Sequence, residues 1–329
     1  MDDDSTASAM THDLRQFPAS LFGSVMGVTG LSLVWRSMHM HFQSPAWIAD
    51  ALAVVAVAAF VVIGTAYAAK IAMAPEAVRA EFEHPIAGNT FATFWVSLLL
   101  LPMILAPFSL WLARALWLIG AVGMTVQGWL IVTRWLTQRH ERAHATPAWI
   151  LPVVGLLDLP LAVPVLGWPQ LHGAMEAGLA IGLFFAIPVL TLVLARLIFE
   201  EPLPHALQPT LMILAAPTGV GVSSYVATTG EVDLFARSLF AVTLFLLPVL
   251  LGRLRHLSSC CPFKFGWWAV SFPMAACAAS ALRVAQAEPG WATEAIALAL
   301  TGLSTIVITW LICRTVSGVA RGELRTLSA

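Results

Sequence analysis

Charge is what this sequence has least of. Lys, Arg, Asp and Glu make up 11% of the 329 residues, against about 25% in an ordinary soluble domain. A soluble fold hides its apolar side chains behind a charged surface, and this chain has too few charges to make one. Those charges nearly cancel, to a net charge of −1, so no basic field points to nucleic acid. Cysteine is sparse and badly spaced for metal or disulfide chemistry. Cys260 and Cys261 are adjacent, which suits neither a zinc site nor a secreted disulfide framework. Cys277 and Cys313 sit in apolar runs, where a thiol is an inert small hydrophobe. Catalytic patterns are thin as well: there is no Gly-x-Ser-x-Gly and no paired-carboxylate arrangement, and the one His-Glu-x-x-His string, His140 to His144, stands in the charged 4–5 connection with Arg139 and Arg142 rather than in an apolar run. His39 and His41, two residues apart, do not share a helical face. The residues therefore offer no catalytic group, metal site or cofactor, and the chain does not read as an enzyme. Its acidic, polar start lacks the basic opening of a signal peptide and reads as a short disordered tail.

What the chain does have is apolar length. Hydrophobic residues make up 59%. Intervals free of Lys, Arg, Asp and Glu run over 16–35, 51–69, 85–113, 115–133, 143–157, 177–195, 202–230, 238–252, 265–282 and 295–313. Most reach the roughly 17–25 residues a helix needs to cross about 30 Å of hydrocarbon. The fifth reaches Gly167 if Asp158 is allowed inside, and the eighth reaches back to Leu234 if Arg237 snorkels. Backbone groups in lipid must bond internally, and these runs are too long and too uniformly apolar for barrel strands. The expected class is an all-α integral membrane protein with ten transmembrane helices. Short loops join them into five helical hairpins. The boundaries that follow are a tail at 1–15, a transmembrane domain at 16–316 and a tail at 317–329.

Lys and Arg set the orientation. Thirteen of them fall in the N-tail, the 2–3, 4–5, 6–7 and 8–9 connections and the C-tail; four (Arg36, Arg114, Arg237 and Arg283) fall on the other side. This asymmetry puts both termini in the cytoplasm and agrees with an even number of spans. The expected location is the cell's inner (plasma) membrane, with many passes.

Proline concentrates in the odd-numbered spans: Pro102 and Pro107 in the third, Pro152, Pro160 and Pro164 in the fifth, Pro217 in the seventh and Pro273 in the ninth. The first carries Gly23, Gly27 and Gly30 instead. An interior proline frees a carbonyl, which is tolerated in a membrane where it faces protein or a water-filled cavity. The odd spans are thus the better candidates for an inner ring lining a cavity, although proline and glycine also simply aid packing in membrane helices.

Several segments, in order, carry a resemblance. Trp267-Trp268-Ala269-Val270-Ser271-Phe272-Pro273-Met274 resembles the ninth-helix signature of the tellurite-resistance/dicarboxylate transporter family, which includes bacterial TehA, the fungal malic acid transporter and the plant slow anion channels. Phe22-Gly23, Gly27 and Leu31-Ser32-Leu33-Val34-Trp35 resemble the first helix, and Val78-Arg79-Ala80-Glu81-Phe82-Glu83-His84-Pro85 the 2–3 loop. Leu151-Pro152 resembles the fifth helix; Ala216-Pro217 through Val222-Ser223-Ser224-Tyr225, followed by Gly230-Glu231-Val232-Asp233, resembles the seventh. The resemblance implies five hairpins, a central pore lined by the odd helices and a homotrimer with one pore per protomer. It also implies that Phe272 plugs the pore. Departures are local: Val25 stands where bacterial TehA has proline, and no proline falls near Phe94 or Trp95.

The expected function is a gated anion channel passing small anions such as chloride or nitrate. Its inner spans hold no Lys or Arg at their centres and offer Thr29, Ser97, Thr218, Ser223, Ser271 and Ser280. Tight binding would prevent exit, so weak positive potential from helix ends and hydroxyls suffices. Arg283 could concentrate anions at the mouth or simply anchor at the interface. The alternative is a proton-coupled carrier for a malate-like C4-dicarboxylate or tellurite. That reading needs a titratable group in the membrane, and Asp158 is its candidate, beside a purely structural reading of the same residue.

Overall fold

The computed structural model describes Arg15, residues 17–254, residues 263–323 and Leu327. The tail ahead of Arg15, together with Arg255, Cys260, Cys261 and Arg325, lies outside the described residues. Among the described residues every regular element is helical. The long elements are α1 (Phe22–Phe42), α2 (Ala46–Met73), α4 (Ala92–Leu105), α5 (Leu110–Thr137), α8 (His172–Phe199), α9 (Ala216–Thr229), α10 (Leu234–Leu254), α11 (Ser271–Ala287) and α12 (Trp291–Ala320). Shorter ones are α3 (Pro75–Glu83), α6 (Leu151–Val154) and α7 (Leu159–Leu166).

Nine helical stretches among the described residues are long and apolar enough to cross a membrane. The protein is a multi-pass, all-helical membrane protein. α1 is long enough, at 21 residues, but is not among the nine. Its glycines and serines, with Arg36, His39 and His41 near its end, dilute its apolarity.

Burial separates the helices into two kinds. In Ala87–Leu105, Pro147–Leu166, His205–Thr229 and Phe265–Ala287, 67–83% of the most apolar stretch is buried, and α1, buried at every residue from Phe22 to Ser32, belongs with them. In the helices paired with them, and in Ala46–Met73, the share is 17–39%. The exposed members show large side chains such as Trp129, Phe184 and Phe245 to their surroundings, as lipid as solvent demands. Each buried segment packs on the exposed helix that follows it. The buried segments also touch one another in a closed circuit: α1 on α4, α4 on α7, α7 on α9, α9 on α11, and α11 back on α1.

Small residues make the circuit tight. α1 and α11 approach where a side chain on Gly27 would overlap Ser271. The Ser271 hydroxyl donates to the carbonyls of Gly23 (3.2 Å) and Trp268 (2.7 Å). Ser97 on α4 donates to the Phe22 carbonyl (3.2 Å), and Thr93 to that of Ala19 (3.0 Å). Without a hydrophobic drive between helices in lipid, such close backbone approach and interhelical hydrogen bonds supply the association.

The charge-free intervals misplace some helix ends. Arg114, expected between two spans, stands inside the start of α5, where its guanidinium donates to the Leu166 carbonyl at the end of α7 (2.9 and 3.1 Å). A cation there answers the unsatisfied carbonyls of a helix C-terminus. α3, an amphipathic helix in the 2–3 connection, is a second feature that a search for charge-free runs passes over.

Candidate functional site

All five buried segments begin alike. Each opens with a 3₁₀ stretch: Ala19–Leu21, Ala87–Phe91, Pro147–Ile150, His205–Ala215 and Phe265–Val270. The prolines expected to kink mid-span mostly stand at the changes from 3₁₀ to α geometry. Pro152, Pro160 and Pro217 occupy the first turn of α6, α7 and α9, and Pro273 is the third residue of α11. A first-turn proline sacrifices no α-helical hydrogen bond, so these junctions cost little. Pro102 in α4 and Pro164 in α7 are interior.

The junction in the last segment places Phe272 on the first turn of α11, 9% exposed. Its ring lies against the backbone of Gly30 on α1: a Cβ added to Gly30 would sit 3.5 Å from the phenylalanine Cδ2. Two cavities lie on either side of this ring. One, of about 370 Å³, opens among the 3₁₀ starts at the arginine-rich end and is lined by Gly23, Glu81, His84, Asp158, Pro273 and others. The second, of about 720 Å³, lies toward the opposite end, with Gly30, Arg36, Ser223 and Arg283 in its wall. Among the described residues only Phe272 and Val220 line both.

The structure distributes the residues singled out in the sequence as follows. Phe272 stands between the cavities. Gly23, Asp158 and Pro273 line the first cavity, and Ser223 the second. Gly27 and Ser271 line neither: they meet each other in the α1–α11 contact. Pro152 and Pro217 also line neither and are buried at their junctions. Ser97 and Ser280 spend their hydroxyls on backbone carbonyls. Val220 is the residue the sequence reading missed. It is flanked by Gly219 and Gly221, so it is the one bulky side chain in that short stretch of α9, and that flanking is the signal that could have found it.

The two cavities differ electrostatically. In the first, Glu81 is fully committed. It accepts from Lys70 (2.5 Å), from the Tyr67 hydroxyl (3.1 Å) and from the Ala19 amide (2.7 Å), and so ties the start of the first segment to the 2–3 connection. Asp158 is 2% exposed and makes no ion pair among the described residues, and its Oδ1 has no hydrogen-bond partner there. The second cavity carries two guanidinium groups, Arg36 and Arg283, and no carboxylate among the described residues of its wall. No group of three or more candidate metal ligands occurs among the described residues.

Comparison with known families matches residues 16–316 to the family described as voltage-dependent anion channel. The chain is 27% identical over 311 residues to the S-type anion channel SLAH3 of Arabidopsis thaliana, covering 92% of this chain and 48% of that one. To the guard cell S-type anion channel SLAC1 of the same plant it is 27% identical over 318 residues, covering 90% and 54%. To the tellurite resistance protein TehA homolog of Haemophilus influenzae it is 28% identical over 310 residues, covering 93% and 92%. The chain thus spans about half the length of these plant relatives and nearly all of the bacterial one.

Proposed function

The chain belongs to the voltage-dependent anion channel family, and from that premise we propose that it is a gated channel for small anions such as chloride and nitrate. Ten membrane helices form five hairpins, and the buried member of each lines one central path. The protein sits in the inner (plasma) membrane with both termini in the cytoplasm and assembles as a homotrimer with a path in each protomer. The observation that carries this reading is the pair of cavities that, among the described residues, share only Phe272 and Val220. A phenyl ring at that level blocks a hydrated ion sterically and keeps the gap dry. The five segment starts at one end aim the positive ends of their helix dipoles toward the first cavity, which favours an anion without binding it tightly.

Planar-bilayer currents in symmetric chloride and then nitrate, with no proton gradient, test it. Wild type should pass little current and Phe272→Ala much more, because removing the ring joins the two cavities. Silence from both proteins, with folding and trimer mass checked by size exclusion with light scattering, would refute the gated channel.

Asp158 favours one second reading, a proton-coupled carrier for a C4-dicarboxylate or tellurite. Asp158 is among the residues lining the first cavity, and its buried Oδ1 has no partner among the described residues. An ionised carboxylate there repels an anion, whereas a protonated one can travel through a proton cycle. Malate uptake into proteoliposomes that collapses with the proton gradient and is lost in Asp158→Asn would support the carrier; gradient-independent flux would exclude it.

A further inference from the structure

Arg283 and Phe272 are eleven residues apart on α11. At about 3.6 residues per turn that is three turns, so both project from one face of the helix. Ala275, Ala276 and Ala279 line the cavity between them, and their small side chains leave the wall clear. At the far end of this clear wall the Arg283 guanidinium is half-buried and makes no hydrogen bond or ion pair among the described residues. Arg36, across the same cavity, is already engaged. It donates to the Met103 carbonyl (3.3 Å) and lies 3.6 Å from Asp50. Ser37 and Gln286 add polar groups to the wall, and Ser223, one turn beyond Val220, has a hydroxyl with no partner among the described residues.

A guanidinium at the edge of a low-dielectric region normally finds a carboxylate. Here no carboxylate lines the cavity among the described residues, which leaves the place of that counter-charge to an anion from solution. We propose that this cavity is the loading site of the channel, in which Arg283 holds one small inorganic anion before it passes Ser223 to the Phe272 ring, so that anions are taken up preferentially from this side. The inference rests on the channel reading above and adds to it a side and a residue. The opposite cavity, with Asp158 unpaired in its wall, offers no free cation among its lining residues. A guanidinium fork fits planar nitrate as well as a halide, and a site open to water holds either weakly enough to release it.

Single-channel recordings in the open Phe272→Ala background test this, with chloride varied in one chamber at a time at low ionic strength. Half-saturation should be lower from one chamber than from the other. Arg283→Gln should raise the lower value roughly five-fold, the scale of a solvent-accessible ion pair, and leave the other unchanged. Arg283→Lys should hold it within about two-fold. Equal half-saturation in the Phe272→Ala and Phe272→Ala/Arg283→Gln proteins overturns the loading site while leaving the channel intact. A silent Phe272→Ala protein refutes the channel itself. Should the Arg283→Gln protein fail to fold, Ser37→Asp decides: a carboxylate in the same cavity should raise the same half-saturation, and no change there overturns the proposal.

Discussion

The contact between Gly27 and Ser271 holds α1 against the helix that carries Phe272, and its strength can be worked out residue by residue. A methyl group on Gly27 would overlap both the Oγ and the Cβ of Ser271 and meet its carbonyl carbon at 3.4 Å. Both residues lie on helices whose backbones are fixed on either side by further contacts, so the overlap cannot be relieved by rotating a flexible chain. Gly27→Ala should therefore cost about 1–3 kcal/mol, the range for overpacking a well-filled interior. Ser271→Gly alone removes the two hydrogen bonds to Gly23 and Trp268 and places glycine in a helix, at about 1–2 kcal/mol together. Combined, the two changes should cost much less than their sum, because Ser271→Gly vacates the space that the new methyl needs. The coupling should equal the overlap term, about 1–3 kcal/mol. Ser271→Ala is the control: it keeps the offending Cβ and should not rescue Gly27→Ala. Thermal unfolding of the four purified proteins in detergent, followed by tryptophan fluorescence, measures the cycle. Additive losses, or equal rescue by Ser271→Ala and Ser271→Gly, would refute the close approach of α1 and α11.

Other consequences are equally local. Lys70 is nearly inaccessible, and it bonds both Glu81 and the Phe17 carbonyl. Lys70→Met, which strands the carboxylate, should cost about 3–5 kcal/mol, and the Lys70→Met/Glu81→Gln pair should recover much of it; the same melting assay reads both. Asp233 opens α10 by accepting from the amides of Phe235 and Ala236, and also accepts from the Tyr225 hydroxyl (2.7 Å). The tyrosine hydroxyl first, and then those amides, hold its carboxyl below the ordinary value of 3.8. Its contribution is therefore full above the unfolded-state value and is lost as pH falls through the lower folded one. The stability of Asp233→Asn should lose that part of the acid dependence, seen by comparing melts of the two proteins from neutral pH into the acid range.

Much of the architecture was legible because lipid imposes a simple code. Uninterrupted apolar length marks spans. Proline and glycine also pointed to the odd segments as the buried ones. What they do there was not legible. Pro152 and Pro217 read as mid-span kinks, whereas they stand where 3₁₀ geometry gives way to α, a boundary that leaves no mark in composition. The serines show the same limit. Ser271 and Ser223 are the same residue type on neighbouring buried helices. One spends its hydroxyl on the α1 backbone, and the other lines a cavity with its hydroxyl unpartnered.

Arg283 marks the deeper reason. Its identity gave both an anchor and an anion attractor, and only its surroundings separate the two. An anchor snorkels to water or finds a carboxylate; Arg283 lines a cavity with no acid among its described lining residues, which favours the attractor and is what the Arg283→Gln recordings decide. Charge in a membrane protein is informative in proportion to what fails to neutralise it, and neutralisation is a property of neighbours brought from five separate segments. The same logic separates Glu81 from Asp158. Both are carboxyls lining one cavity, but Glu81 is held by three donors and acts as a structural tie. Asp158 has no ion-pair partner among the described residues, and it is therefore the group on which the choice between channel and carrier turns.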